Sequence, residues 1–294
     1  MSREVTEAHY LHERSGLEAV LRPPVPNPTA LCWVPKREEL LVCNRAGELI
    51  SVDPVLGTRT VAEDIGEAAK LHIHEDRKRW LVVSREGRWR IGTMRGETLH
   101  EGRHGFLGGM DGFLTGEYAV LVGDEDDGRR MVVLQGSEVK ARVRLPSRVV
   151  PTVDASGKLL LCRSTPAGLL VIPLDKSARF PKTQSTVHRL RRSGLSVLGF
   201  TTTGICIWGQ EGGVPQSMRL PDLTAGDLNK DGTLLGLGTR SGAVALARLD
   251  RNEKRIRPDL VRAFNQPVTS VAFSSRGKWL ATGAEGLRIW SWED

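Results

Sequence analysis

The sequence predicts an all-β chain, one closed domain of short antiparallel hairpins, and three observations carry that reading. A group of three short, apolar-alternating runs recurs about every 40 residues. A glycine opens the third run in most copies. The 294 residues, 39% apolar and 26% charged, can bury a core without disulfide or metal staples. That composition excludes an intrinsically disordered chain. No apolar run reaches 18 residues, which excludes a membrane-spanning helix.

The copies follow in chain order. The first has runs at 30–34, 39–43 and 48–52, and the second at 69–73, 80–84 and 88–91. A weaker copy lies near 105–145. Runs at 149–153, 159–162 and 169–172 form the fourth, and another weak copy lies near 194–220. The sixth has 223–228, 233–238 and 243–247. The last is the clearest, with 267–273, 278–283 and 287–292 separated by Ser274–Gly277 and Ala284–Gly286. Gly47, Gly87, Gly128, Gly168, Gly242 and Gly286 open the third runs, where a tight turn needs φ > 0. Six copies leave room for a fourth strand, while the last stops after three. Val5 to His12 is strand-like and is expected to supply the missing outer strand, which would close a ring and cover a sheet edge. The expected division is a closing strand in residues 1–14, a linker at 15–28 and blades over 29–294.

Val268 to Trp290 is similar to a WD40 repeat, and the whole chain resembles a seven-bladed WD40-type β-propeller. The resemblance implies a single propeller of four-stranded antiparallel blades, with the N-terminal strand closing the last. It also has departures. No Gly-His dipeptide opens a blade, and Ser291 stands where the family has Asp after Trp. The family's His–Ser/Thr–Asp–Trp hydrogen-bonded tetrad is therefore expected to be missing.

The net charge is +7, unevenly spread. Residues 131–200 hold 12 basic and 3 acidic groups, while residues 101–130 hold 3 and 7. Lys140, Arg142 and Arg144 alternate with apolar residues and so share one face of a strand. Arg191 and Arg192, and the stretch 254–257, are read as similar outer strands. Charge on an outer edge discourages sheet-to-sheet pairing, which is the plainer explanation. The sharper one is a basic arc at 140–148 and 188–192 that takes phosphates or an acidic partner. Few aromatics are present for base stacking, with two Tyr and six Phe.

Arg45, Arg85 and Arg240 each stand two residues before a third-run glycine. The family resemblance places that turn on the top face beside the central channel. Arginine suits bidentate recognition of carboxylate or phosphate. The plainer account is that turns tolerate arginine in a chain rich in it.

Several sites of chemistry carry ordinary structural readings. Asp227-Leu228-Asn229-Lys230-Asp231-Gly232 opens like a Ca²⁺ loop, but position 12 is Gly238 rather than a bidentate Glu, so a plain turn is expected. The run Asp124 to Asp127 reads as a solvated hairpin tip. His72 and His74 share a strand face without a third metal ligand nearby. Cys32, Cys43, Cys162 and Cys206 form no C-x-x-C pair and read as buried thiols of a reducing compartment. The first ten residues lack a signal-peptide pattern, so a cytoplasmic protein is expected. No G-x-S-x-G, Walker-type loop or G-x-G-x-x-G occurs.

The function expected is a non-catalytic protein-interaction scaffold without cofactor, offering a rigid surface to an acidic or phosphorylated partner. One alternative is a nucleic-acid-associated propeller using the basic arc. The other is a channel-centred metal-dependent hydrolase or lactonase.

Overall fold

In a computed structural model, seven four-stranded antiparallel sheets follow one another along the chain. The structure describes residues 17–292 except 75, 146–148, 154–158, 166–167, 174–177, 182–186, 194–195, 202–203, 209–215, 221 and 250–258. Strands A to D of each blade run from the centre outwards. Blade 1 is Pro28–Trp33, Leu40–Asn44, Leu49–Asp53 and Gly57–Ala62; blade 2 is Ala68–Ile73, Arg79–Ser84, Arg88–Thr93 and Thr98–Arg103. Blade 3 is Gly108–Thr115, Tyr118–Glu125, Gly128–Gln135 and Glu138–Arg144; blade 4 is Val149–Val153, Leu159–Thr165, Gly168–Pro173 and Ala178–Pro181. Blade 5 is Val187–Ser193, Ser196–Thr201, Gly204–Trp208 and Gln216–Arg219; blade 6 is Leu223–Leu228, Leu234–Thr239, Ala243–Arg248 and Asp259–Arg262. Blade 7 is Ser270–Phe273, Leu280–Gly283 and Leu287–Trp292, completed by Leu17–Leu21.

Radial position is written in side-chain polarity. Strand B is covered on both faces by neighbouring blades, so Leu40–Asn44 and Leu280–Gly283 are buried throughout. Strand D lies at the rim, and Thr98–Arg103 and Glu138–Arg144 are almost wholly exposed. Charges there protect the edge. The core is divided between blades. Ala30, Leu41 and Cys43 of blade 1 pack on Leu71, Trp80 and Val82 of blade 2. Leu31, Trp33 and Val42 of blade 1 pack on Ala272, Ala281 and Ile289 of blade 7. The A strands of blades 1, 2, 3, 5 and 6 start with a β-bulge, which adds local twist.

The last sheet corrects one expectation. Its outer strand is Leu17–Leu21, within the stretch read as linker, paired antiparallel with Leu287–Trp292. Ala19 packs on the core of blade 7 and Leu21 on the core between blades 7 and 1. These alternating apolar side chains are what the exposed edge needs. The segment Val5 to His12 lies outside the described residues. Blades 7 and 1 are bound directly: Trp33 Nε1 donates to the Ala272 carbonyl at 3.0 Å, and Thr269 Oγ1 to the Pro28 carbonyl at 2.8 Å.

A second correction concerns blade 5. Val187–Ser193, read as an outer strand, is the first and innermost strand of its sheet. The weak copy's register was set one strand too late, because the charges of 188–192 imitate a rim. The tetrad is also not wholly lost. Trp290 Nε1 donates to Thr282 Oγ1 at 2.7 Å, both side chains buried, so one of its hydrogen bonds survives without His or Asp. Gly47, Gly87 and Gly242 all have φ of 83°, as their turns require, whereas Gly286 has no positive φ and bridges to Pro26 instead.

Candidate functional site

An antiparallel meander puts the B–C turns and the D–A connections on one face, here called the upper face. Three arginines occupy equivalent places on it. The backbone N–H groups of Arg45, Arg85 and Arg240 donate to the carbonyls of Asn27, Glu67 and Asp222, at 3.0, 2.8 and 2.7 Å. Each acceptor is the residue just before strand A of the same blade. The carbonyls of Gly47, Gly87 and Gly242 then accept from Ile65, His104 and Ala263, at 2.9, 2.8 and 3.1 Å, in the connection that follows strand D. The turn is therefore held on both sides, while the arginine side chain is exposed. Arg85 lies 3.5 Å from the half-buried carboxylate of Glu67. Among the described residues, Arg45 and Arg240 have no carboxylate partner.

Of the two other B–C turns with described side chains, the one in blade 3 is acidic, and its tip is not simply solvated. Arg129 meets Asp124 at 3.1 Å, and Arg130 meets Glu125 at 2.6 Å and Asp127 at 2.5 Å. Arg142 reaches Glu125 at 2.5 Å, and Arg144 donates to the Asp127 carbonyl. Lys140 pairs with Glu138 at 2.7 Å. The register makes this possible, because Arg130 and Arg142 extend from strands beside the same tip. The outer-strand cations expected to face a partner are thus engaged within their own blade. Arg191 and Arg192 lie on the inner strand of blade 5, backbone-paired with Leu198 and Val197. The arc 140–148 and 188–192 is therefore divided between a rim and a centre rather than forming one groove. The stretch 254–257 lies outside the described residues.

Other expected centres have structural partners. Asp227 Oδ2 accepts the Phe273 N–H at 2.9 Å, joining blades 6 and 7. Asn229 Oδ1 accepts the N–H groups of Thr233 and Leu234, the expected turn. His72 Nδ1 accepts the Leu114 N–H at 3.1 Å, joining blades 2 and 3. Burial first, then the nearby Lys70 cation, holds the His72 pKa down to about 3, so its ring is neutral. His74 is buried with Nδ1 3.0 Å from Asp76. Cys43 and Cys206 are buried, and burial pushes both thiols up, away from the reactive thiolate. Among the described residues, no group of three or more His, Cys, Asp or Glu side chains could hold a metal ion, and no helix is long and apolar enough to cross a membrane.

Two features escape sequence reasoning. On the inner strands, Lys70 and Asp111 form a half-buried ion pair at 2.8 Å, with the Lys70 ammonium 5.2 Å from the Phe113 ring centre. On the upper rim, strand D ends in arginine in four blades, at Arg103, Arg144, Arg219 and Arg262. The signal for the second is a recurring final Arg, visible only once the fourth strands are correctly bounded.

Neither a protein-family model nor a curated protein sequence matches the chain. Solved structures do. The C-terminal WD40 domain of Sif2 superposes with a TM-score of 0.71 at 11% identity, over 95% of this chain and 99% of that one. The β-propeller domain of Myceliophteria thermophila Cps50 (Swd1) gives 0.74 at 13% identity, over 94% and 100%. Chaetomium thermophilum Raptor gives 0.69 at 16% identity, covering all of this chain and 31% of Raptor. At such identities the likeness is one of fold: the chain has the β-propeller fold that those WD40 domains share, built here of seven four-stranded sheets.

Proposed function

We propose that the chain is a non-catalytic protein-interaction scaffold whose upper face receives an acidic or phosphorylated segment of a partner protein. The observation that carries this reading is the threefold equivalence of Arg45, Arg85 and Arg240. Each is exposed, on a turn tied down by the same two backbone hydrogen bonds. A guanidinium presented from a rigid turn loses little further backbone freedom on binding, so more of the contact energy appears as affinity. Blades 6, 7 and 1 adjoin through Asp227, Thr269 and Trp33, so the platform beneath Arg45 and Arg240 is itself well braced.

The test is capture of partners from native lysate on the wild-type chain and on R45E/R85E/R240E, with and without nuclease, read by mass spectrometry. The expected result is a stoichiometric protein that survives nuclease on the wild type and is absent from the variant, whose melting temperature is unchanged. Equal capture by both chains would remove the arginine face from the interaction. Partners that vanish with nuclease would replace the reading with nucleic-acid association.

A further inference from the structure

Blade 2 holds a charge arrangement that the fold does not use. Arg88 opens strand C and Arg103 ends strand D, and the two are direct partners in the antiparallel ladder. Direct partners project their side chains on the same face of a sheet, and like charges so placed are destabilising. Both side chains are exposed, and among the described residues neither meets a carboxylate. One step along the same face, the ladder shows what a self-sufficient pair looks like: Arg90 faces Glu101 at 3.0 Å and donates to the Glu63 carbonyl at 2.8 Å. A glutamate at position 103 would repeat that solution, yet an arginine stands there.

Both arginines line a cavity of about 430 Å³ on the upper face, shared with Arg90, Glu101, Asp64, Ile65, Trp89 and Gly102. Arg90 and Glu101 neutralise each other. Asp64 alone then opposes two guanidinium groups, which leaves the cavity cationic. Its walls are fixed. The Arg88 N–H donates to Ser84 Oγ at 3.2 Å, and the His104 N–H, just after Arg103, donates to the Gly87 carbonyl at 2.8 Å. Gly102 lies against the Trp89 ring so closely that a Cβ would sit 2.8 Å from it. The two arginines thus start from rigid backbone, and Arg88 stands three residues after Arg85, at the end of the same turn.

We propose that Arg88 and Arg103 form a clamp for the phosphate group of a phosphorylated side chain on the partner segment. This rests on the scaffold reading and names the ligand chemistry of its blade 2 end. A phosphomonoester fits two facing guanidinium groups better than a carboxylate does. It carries about −1.5 to −2 charge and three acceptor oxygens, against one charge on a single carboxylate. Arginine forks match phosphate oxygens in pairs. The terminal arginines of strand D in blades 5 and 6, Arg219 and Arg262, are also exposed, but Gly204 and Ala243 face them, not a second arginine. In blade 3, Arg144 is already engaged by the Asp127 carbonyl. Arg144 also faces a second arginine, Arg130, but that one is paired with Glu125 and Asp127. Among the described residues at these four rim positions, a facing pair of arginines without a carboxylate partner therefore occurs in blade 2 alone.

The experiment follows the arginine Nε–Hε resonances of the ¹⁵N-labelled full chain by NMR. Inorganic phosphate, phosphoserine, dimethyl phosphate and acetate are titrated separately at constant ionic strength. Saturable displacement of Arg88 and Arg103 by inorganic phosphate and phosphoserine is expected, with acetate and dimethyl phosphate far weaker. R88Q and R103Q should each weaken phosphate binding about tenfold or more, since each removes a charged hydrogen-bond set. R95Q, in the exposed turn between strands C and D at the other end of blade 2, should leave it unchanged. Shifts spread over all exposed arginines without saturation would mean simple screening and overturn the clamp. Dimethyl phosphate binding as tightly as phosphoserine would overturn it in favour of a phosphodiester backbone. Partner capture separates the two levels of the argument: retention by R88Q/R103Q with loss by R45E/R85E/R240E sinks the clamp and keeps the scaffold.

Discussion

Blade 7 and blade 3 have the same four-stranded plan and are held in place by different physics. Blade 7 is fastened chiefly by groups that do not titrate, with the Asp227 carboxylate on the Phe273 N–H as the exception. Trp290 donates to Thr282 inside the sheet, Trp33 of blade 1 donates to Ala272, and Thr224 of blade 6 donates to the Val268 carbonyl. Blade 3 is fastened by groups that do. His72 accepts from Leu114, Lys70 pairs with Asp111, and the acidic tip pairs with Arg129, Arg130 and Arg142. The sector 6–7–1 should therefore respond less to acid and salt than blade 3 does.

Truncating Trp290 to Ala should have the largest effect. It removes a fully buried indole and strands the Thr282 hydroxyl, at a cost of about 3–5 kcal/mol in urea unfolding. A loss below about 1 kcal/mol would show that blade 7 does not depend on that contact. The acid response comes next. His72 is held neutral in the fold, with a pKa of about 3 against an ordinary 6.5. The unfolded chain therefore binds one more proton between those values. Stability is full above about pH 6.5 and falls as pH drops towards 3, by up to about 1.4 kcal/mol per pH unit from this group. Hydrogen exchange should show Leu114 in blade 3 losing protection well before Trp290 in blade 7 as pH falls from 7 to 4. Simultaneous loss in both would erase the distinction between the two sectors.

The smallest effect is expected at the acidic tip. Glu125→Gln breaks the pairs of a partly buried carboxylate with Arg130 and with the exposed Arg142, at a cost of about 1 kcal/mol. The difference from wild type should shrink further in 1 M salt. A larger, salt-independent loss would mean that the tip is a buried structural network. The same variant releases Arg142 while Arg130 keeps Asp127, so blade 3 should gain a little affinity for inorganic phosphate as blade 2 keeps its own.

Much of the architecture is legible locally. Leu40–Asn44, Leu234–Thr239 and Leu280–Gly283 are apolar runs between turn signals, and all three are B strands. Blade 3 is harder to read because glycines stand where apolar side chains are expected. A Cβ at Gly112 would lie 2.7 Å from Val83, and one at Gly123 would lie 2.2 Å from Phe106. Blade 2 and the connection leading from it supply the bulk, which one blade's sequence does not reveal. At the candidate site, the places of Arg45, Arg85 and Arg240 follow from spacing to a turn glycine, which is also local.

The sequence alone determined the strand period, the glycine turns, the spacing of Arg45, Arg85 and Arg240 to those glycines, and a repeat of about 40 residues. These depend on residues within a few positions of one another. Only the tertiary structure decided that Leu17–Leu21 completes blade 7, that Val187–Ser193 is central, that the acidic tip binds its own blade, and that Arg88 faces Arg103. Each of these depends on which strand pairs with which, and in what register. Alternation along a strand says which side chains share a face, but not what stands opposite them.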